Sequence, residues 1–274
     1  MKKFQTALVF LLLNCFCAAL QQPSSGNSTQ AQPAGKHVPQ AKTHAEFNDY
    51  NTAYATAGGA VVEKAADEFA AKYPASELKA FLYAKAMHEY QNENNPAKML
   101  SVGEKVLQLD PDNSIALVLT STVLADSLND ADTDRQAKIA RARKNATHAL
   151  ETVDSGFVPP ANATTEQVTA YKSTLQSMAH SALGIVALKT GDDATAENEL
   201  KLSTSLNVSQ PDPYLWYHLA LAQDHQKKYP EALVSINHAL QVIGGNADLE
   251  ELAKGEQKRL LTLTGANPPS PAPK

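Results

Sequence analysis

The chain has 274 residues, of which 43% are apolar and only 6% aromatic, and a formal charge of −5. That length admits one or two ordinary domains or a repeat array. Acidic and basic residues are interspersed without a long basic block, which argues against a nucleic-acid surface, and the alanine-rich composition favours helices meeting at small-residue seams.

At the start, Lys2 and Lys3 precede the apolar run "ALVFLLLNCFCAAL", which closes on small residues. Residues 1–19 read as a secretory signal cleaved near Ala19, and the run is short for a spanning helix, which needs about 20 apolar residues. Cys15 and Cys17 follow Asn14 and Phe16 rather than the small residues that a lipidation site requires. A mature chain would then carry no thiol or disulfide. The expectation is an exported bacterial protein, periplasmic or secreted, that meets a membrane only if the signal stays uncleaved. Residues 20–42, rich in Gln, Ser, Pro and Gly, read as a disordered linker. Residues 266–274, "ANPPSPAPK", read as a disordered proline-rich tail.

Between them, residues 43–265 carry helical periodicity broken by turn signals, with no alternating strand pattern. A first unit ends near Pro74 in "AADEFAAKYPAS". A second places Tyr83 and Tyr90 on one helix and closes at Pro111 in "VLQLDPDN". A third starts at Ser114, shows Ala142, Ala146 and Ala149 on its second helix, and has an insertion at about 127–134. A fourth pairs Leu183 with Gly184, turns at Gly191 and continues through Ala196 and Leu200. The fifth repeats the theme with Trp216, Leu219 and Ala220, then Ala232, Ile236 and Ala239, with Pro230 in a tolerated first-turn position. A last helix over about Ala247–Leu263 sets Leu249, Leu252, Leu260 and Leu261 on one side.

These signatures resemble the tetratricopeptide repeat (TPR), a 34-residue helix-turn-helix unit with an aromatic-x2-Leu-Gly-x2-Tyr, Ala-x3-Phe and Pro pattern. The resemblance implies an all-α, right-handed α-solenoid of about five stacked hairpins sealed by a C-terminal capping helix, each hairpin needing its neighbours to bury a core. Trp216 would then be core, and its truncation would cost about 3–5 kcal/mol.

No catalytic constellation is found. His218, His225 and His238 lack the three or four convergent ligands of a zinc site, and there is no phosphate loop or nucleophile elbow. No metal or cofactor is expected, and the chain reads as non-enzymatic. The densest positive cluster, Arg135, Lys138, Arg141, Arg143 and Lys144, reads as a solvated helix face or as a contact for an anionic partner. Asn145, Asn162 and Asn207 match glycan acceptors.

The resemblance further implies that the first helix of each hairpin lines a concave face that holds a peptide or a partner's helix. In this sequence that face comprises Phe81, His88, Tyr214, Tyr217, Leu221, Asp224 and His225. The Lys and Asn clamp of chaperone-tail-binding members is not found at these positions. "FAAKYPAS" resembles repeats of outer-membrane assembly proteins, so the expected role is a scaffold or adaptor in the cell envelope, with an unidentified protein or peptide as partner. The alternative is a small-ligand or cell-wall-fragment binder using the same groove, with a closed polar pocket near Asp224 and His225.

Overall fold

The computed structural model describes residues 39–157, 163–207 and 210–265. Among these residues it contains helices and no strand: α1 (His44–Tyr54), α2 (Gly59–Lys72), α3 (Lys79–Asn92), α4 (Pro96–Leu109), α5 (Ser114–Ser127), α6 (Arg135–Gly156), α7 (Thr165–Lys189), α8 (Asp193–Leu206), α9 (Pro213–His225), α10 (Tyr229–Gln241) and α11 (Ala247–Thr264). The signal (1–19), nearly all of the linker (20–42) and the tail (266–274) lie outside the described residues, as does Asn162. The helices start where the chain supplies caps. The side chains of Thr43, Asn95, Asn113, Asp192, Asp212 and Asn246 each accept a hydrogen bond from a first-turn N–H, satisfying donors that have no intrahelical partner. Pro96, Pro213 and Pro230 occupy first turns, where their missing N–H is not needed.

Consecutive helices pack pairwise as hairpins. Three of the hairpins share one turn. Asn94, Gly191 and Lys227 adopt positive φ (52°, 78° and 62°), each two residues before the second helix. The following N–H then reaches back five residues: Asn95 to the Tyr90 carbonyl (2.8 Å), Asp192 to Ala187 (2.9 Å) and Lys228 to Gln223 (2.9 Å). This is the left-handed C-cap, in which a backbone reversal satisfies carbonyls left over at the helix end.

The contacts divide the chain into two compact units, one reaching to Gln176 and one starting at Ser177, with the division falling inside α7. In the first unit, Val62, Ala66, Leu82, Ala86, Val102 and Val106 are buried along α2, α3 and α4. Nine residues of α5, on all its sides, are buried, and a helix so enclosed has no polar face to give it an amphipathic period. That is why the third hairpin shows no first-helix signature in the sequence. The insertion is an ordered loop: Asp132 accepts from the Asn129 N–H (3.1 Å) and from Lys138 Nζ (2.9 Å).

In the second unit, Ala187, Ala196, Leu200, Leu215, Leu219 and Ala222 form one cluster. Ala220, Ala232, Ile236, Ala253 and Leu260 form another, which holds the last helix in place. Small residues stand where backbones cross. At Gly184 an added Cβ would lie 2.7 Å from Leu200 Cγ. Trp216 departs from the core expectation: it packs on the first cluster but remains partly exposed, stacked on His238 at 4.7 Å. The fully enclosed positions beside it belong to Leu215 and Leu219.

Candidate functional site

On α9 the buried residues are Leu215, Leu219, Ala220, Ala222 and Gln223. Helical geometry puts Tyr214, Tyr217, His218, Leu221, Asp224 and His225 on the opposite side, and none of the six is fully buried. The aromatic rings pack on one another: Tyr214 lies 4.0 Å from His218, and Tyr217 meets His218 edge-on at 5.5 Å. His218 Nδ1 donates to the Tyr214 carbonyl (2.8 Å), and burial pushes its pKa down to about 4 despite that bond, with Lys189 adding to the fall. The ring is therefore neutral at physiological pH. Tyr217 packs against the second cluster, and burial, then the charge of Glu256, raises its pKa.

An ion pair reaches this face from α11. Arg259 Nη2 pairs with Asp224 and with Glu256 (2.8 Å), which raises the guanidinium pKa and links α11 to α9. Leu252, Glu256, Arg259 and Leu263 recur at i, i+4, i+7 and i+11 and so form one stripe of α11. The two leucines at its ends are 52% and 47% exposed. The expectation that Leu252 shares the buried side with Leu249 and Leu260 is thus corrected: Ala253 takes the inner position. On this side α9 and α11 are linked by the Asp224–Arg259 ion pair and by Glu256 acting on Tyr217, whereas Lys189 of α7 acts on His218.

Asp224 and His225 do not converge. His225 Nδ1 lies 2.9 Å from Asp193 Oδ1 at the start of α8, while Asp224 turns to Arg259. Phe81 and His88 stand on α3 in the first unit, both partly buried. His88 lies 3.5 Å from Gln91 Oε1, and burial lowers its pKa. Sequence reasoning left His218, Leu252, Glu256, Arg259 and Leu263 out of the site. The i, i+4 spacing of Tyr214 and His218, and the stripe on α11, were the available signals.

The repeat-signature residues are structural. The hydroxyls of Tyr83 and Tyr90 donate to Asp67 and Glu63, both at 2.7 Å. Ala196, Ala220, Ala232 and Ala239 are fully buried, Leu219 and Gly184 are also buried, and Leu183 is half-buried. Pro111 lies exposed in the turn before α5. The positive cluster on α6 is largely spent on acids: Arg135 pairs with Asp130 (3.2 Å), Lys138 with Asp132 and Asp134, and Arg141 with Glu104. Among the described residues no group of three or more His, Cys, Asp or Glu could hold a metal ion, and no helix is long and apolar enough to cross a membrane.

Fold and site define an all-α protein of stacked, TPR-like helical hairpins with an incompletely buried aromatic face on α9. α3 and α5 start at Lys79 and Ser114, and α9 and α11 at Pro213 and Ala247, intervals close to the 34-residue period of that repeat. No protein-family model and no curated protein matches the chain. Among solved structures, a thermophilic TPR protein of Thermus thermophilus is similar at a TM-score of 0.44 and 15% identity, over 77% of this chain and 98% of that one.

Proposed function

We propose that this chain is a non-enzymatic scaffold that holds a segment of another polypeptide on the outward face of α9. The observation that carries the reading is the incomplete burial of Tyr214, Tyr217, Leu221 and His225 along that face, opposite the side that α9 buries in the stack. Tyrosine, histidine and leucine side chains anchor polypeptides well, because much of their surface is apolar while the ring edges and hydroxyls still hydrogen-bond. The small-ligand alternative is less favoured, because Asp224 and His225 are turned to different partners rather than to one pocket. The charged start and short apolar run of residues 1–19 support export, so the partner is a protein or peptide of the bacterial cell envelope, with no nucleic acid and no cofactor involved.

Photo-crosslinking in the native cell tests this reading, with a photoreactive residue replacing Tyr217 and, for comparison, Arg141. A dominant protein adduct from Tyr217 that Arg141 does not give identifies the partner. Equal adducts at both sites, or none from Tyr217, overturn the reading.

A further inference from the structure

One stripe of α11 has the same pattern from either end. Leu252 precedes Glu256 by four residues, and Leu263 follows Arg259 by four. The two leucines are 52% and 47% exposed and stand about 17 Å apart at 1.5 Å per residue. Between them lie one acid and one base, paired at 2.8 Å within the chain, with Glu256 12% and Arg259 46% exposed. The residues that hold α11 in the stack, Leu249, Ala253 and Leu260, are on another side of the helix, roughly a quarter turn away.

Such a stripe is complementary to itself when turned end for end. A second α11 lying antiparallel, centred between Gln257 and Lys258, sets Leu252 against the second copy's Leu263 and Glu256 against the second copy's Arg259. The two-fold axis repeats both contacts. Arg259 can reach a further carboxylate because a guanidinium carries five N–H donors. A parallel copy would instead set Glu256 against Glu256 and Arg259 against Arg259, and like charges so placed repel. Gly255 flanks the stripe in the helix interior, and a Cβ added there would meet nothing within 4 Å. Glycine weakens a helix relative to alanine, and among the described residues no packing calls for it. A second helix lying on the stripe does, because a residue without a side chain lets another backbone come close.

We propose that two copies of this chain associate through α11, antiparallel about a two-fold axis, with Leu252 of each against Leu263 of the other and the Glu256 and Arg259 charges interleaved. A single helix pair of this length buries less than the roughly 1,200 Å² of a standard interface, so the dissociation constant should be on the order of 100 µM. The inference does not depend on the reading of α9, since its only partner is the chain itself.

Sedimentation equilibrium of the chain with Cys15→Ser and Cys17→Ser, at concentrations up to about ten times that constant, tests it. The mean mass should rise from that of one chain toward that of two. Leu252→Asp and Leu263→Asp, each with an unchanged circular dichroism spectrum, should weaken association at least about tenfold, because each buries a charge against a leucine. Glu256→Arg and Arg259→Glu should each associate less alone, and mixing the two chains should restore association. Under mild oxidation, a mixture of Leu252→Cys and Leu263→Cys chains should form a disulfide. Neither should do so alone, since like positions lie about 17 Å apart along an antiparallel pair, beyond disulfide reach. A single-chain mass at every concentration overturns the proposal, whatever else covers the stripe. Association unchanged by Leu252→Asp overturns it by placing the contact elsewhere, and a disulfide in the Leu252→Cys chain alone overturns the antiparallel pairing.

Discussion

Glu63 in the first unit and Glu197 in the second occupy the same place in their hairpins and solve it with different chemistry. Each is the fifth residue of a second helix, α2 or α8, and each meets a residue whose own carbonyl receives the turn bond of the next hairpin: Tyr90 for Glu63, Gln223 for Glu197. Glu63 accepts from the Tyr90 hydroxyl (2.7 Å) and from Lys98 and Lys105 (3.1 and 3.0 Å). Lys105 also reaches Asp67, which takes the Tyr83 hydroxyl, and the two lysines lie over the two tyrosine rings. Glu197 is instead enclosed by amides and amines, with Lys201 and Lys228 both at 2.6 Å and Gln226 at 3.0 Å, while Gln223 passes the network on to Ser235. In both places burial by itself would raise the carboxyl pKa, and the hydrogen bonds outweigh it and bring it down to about 2. A carboxylate drawn wholly or partly out of solvent is thus tolerated wherever the next hairpin supplies enough donors, whatever their type. α4 has Leu100 at its fifth position, and the next junction is bridged instead by Arg141 of α6 pairing with Glu104 of α4.

The largest expected effect is acid unfolding. Because both pKa values are lowered from 4.5 to about 2, each pair's stabilisation is complete above pH 4.5 and lost as pH falls through 2. The loss is about 3 kcal/mol for each acid. Urea titrations followed by circular dichroism at pH 7, 4 and 2.5 measure it, and Glu63→Gln with Glu197→Gln should flatten that dependence. At pH 7 each single glutamine variant should cost about 2 kcal/mol. The acids share no partner, so the double variant should cost the sum, and a shortfall of more than about 0.5 kcal/mol would show that the junctions are coupled.

Tyr90→Phe isolates the aromatic solution. Removing one donor while both lysines stay should cost about 1 kcal/mol, and the midpoint of acid unfolding should move up. No change in that midpoint would mean that the lysines alone hold the carboxylate. The smallest effect concerns the shared turn. Lys227→Gly relieves a left-handed lysine and should stabilise by up to about 1 kcal/mol, whereas Gly191→Ala in the equivalent place should destabilise by a similar amount. Opposite shifts in thermal midpoint check the pair.

Much of the fold was readable in the chain. Caps, first-turn prolines, the Gly191 turn and the alanine seams are local signals, because backbone sterics and helical period act over a few residues. The face of α9 was readable for the same reason: Tyr214, Tyr217, Leu221, Asp224 and His225 lie opposite the buried side at helical spacing. What only the tertiary structure decided depends on neighbours distant in sequence. A helical pattern says which residues are apolar but not how far a neighbour covers them. So Trp216 stays partly exposed while Leu215 and Leu219 are enclosed, and Trp216→Ala should cost less than the core value. The same holds for Leu252, left outside because Ala253 fits the seam against α10, and for Arg259, which crosses from α11 to pair with Asp224. The pairing of Glu63 and Glu197 was invisible in sequence, since a carboxylate reads as a solvated face until the next hairpin brings its donors to it.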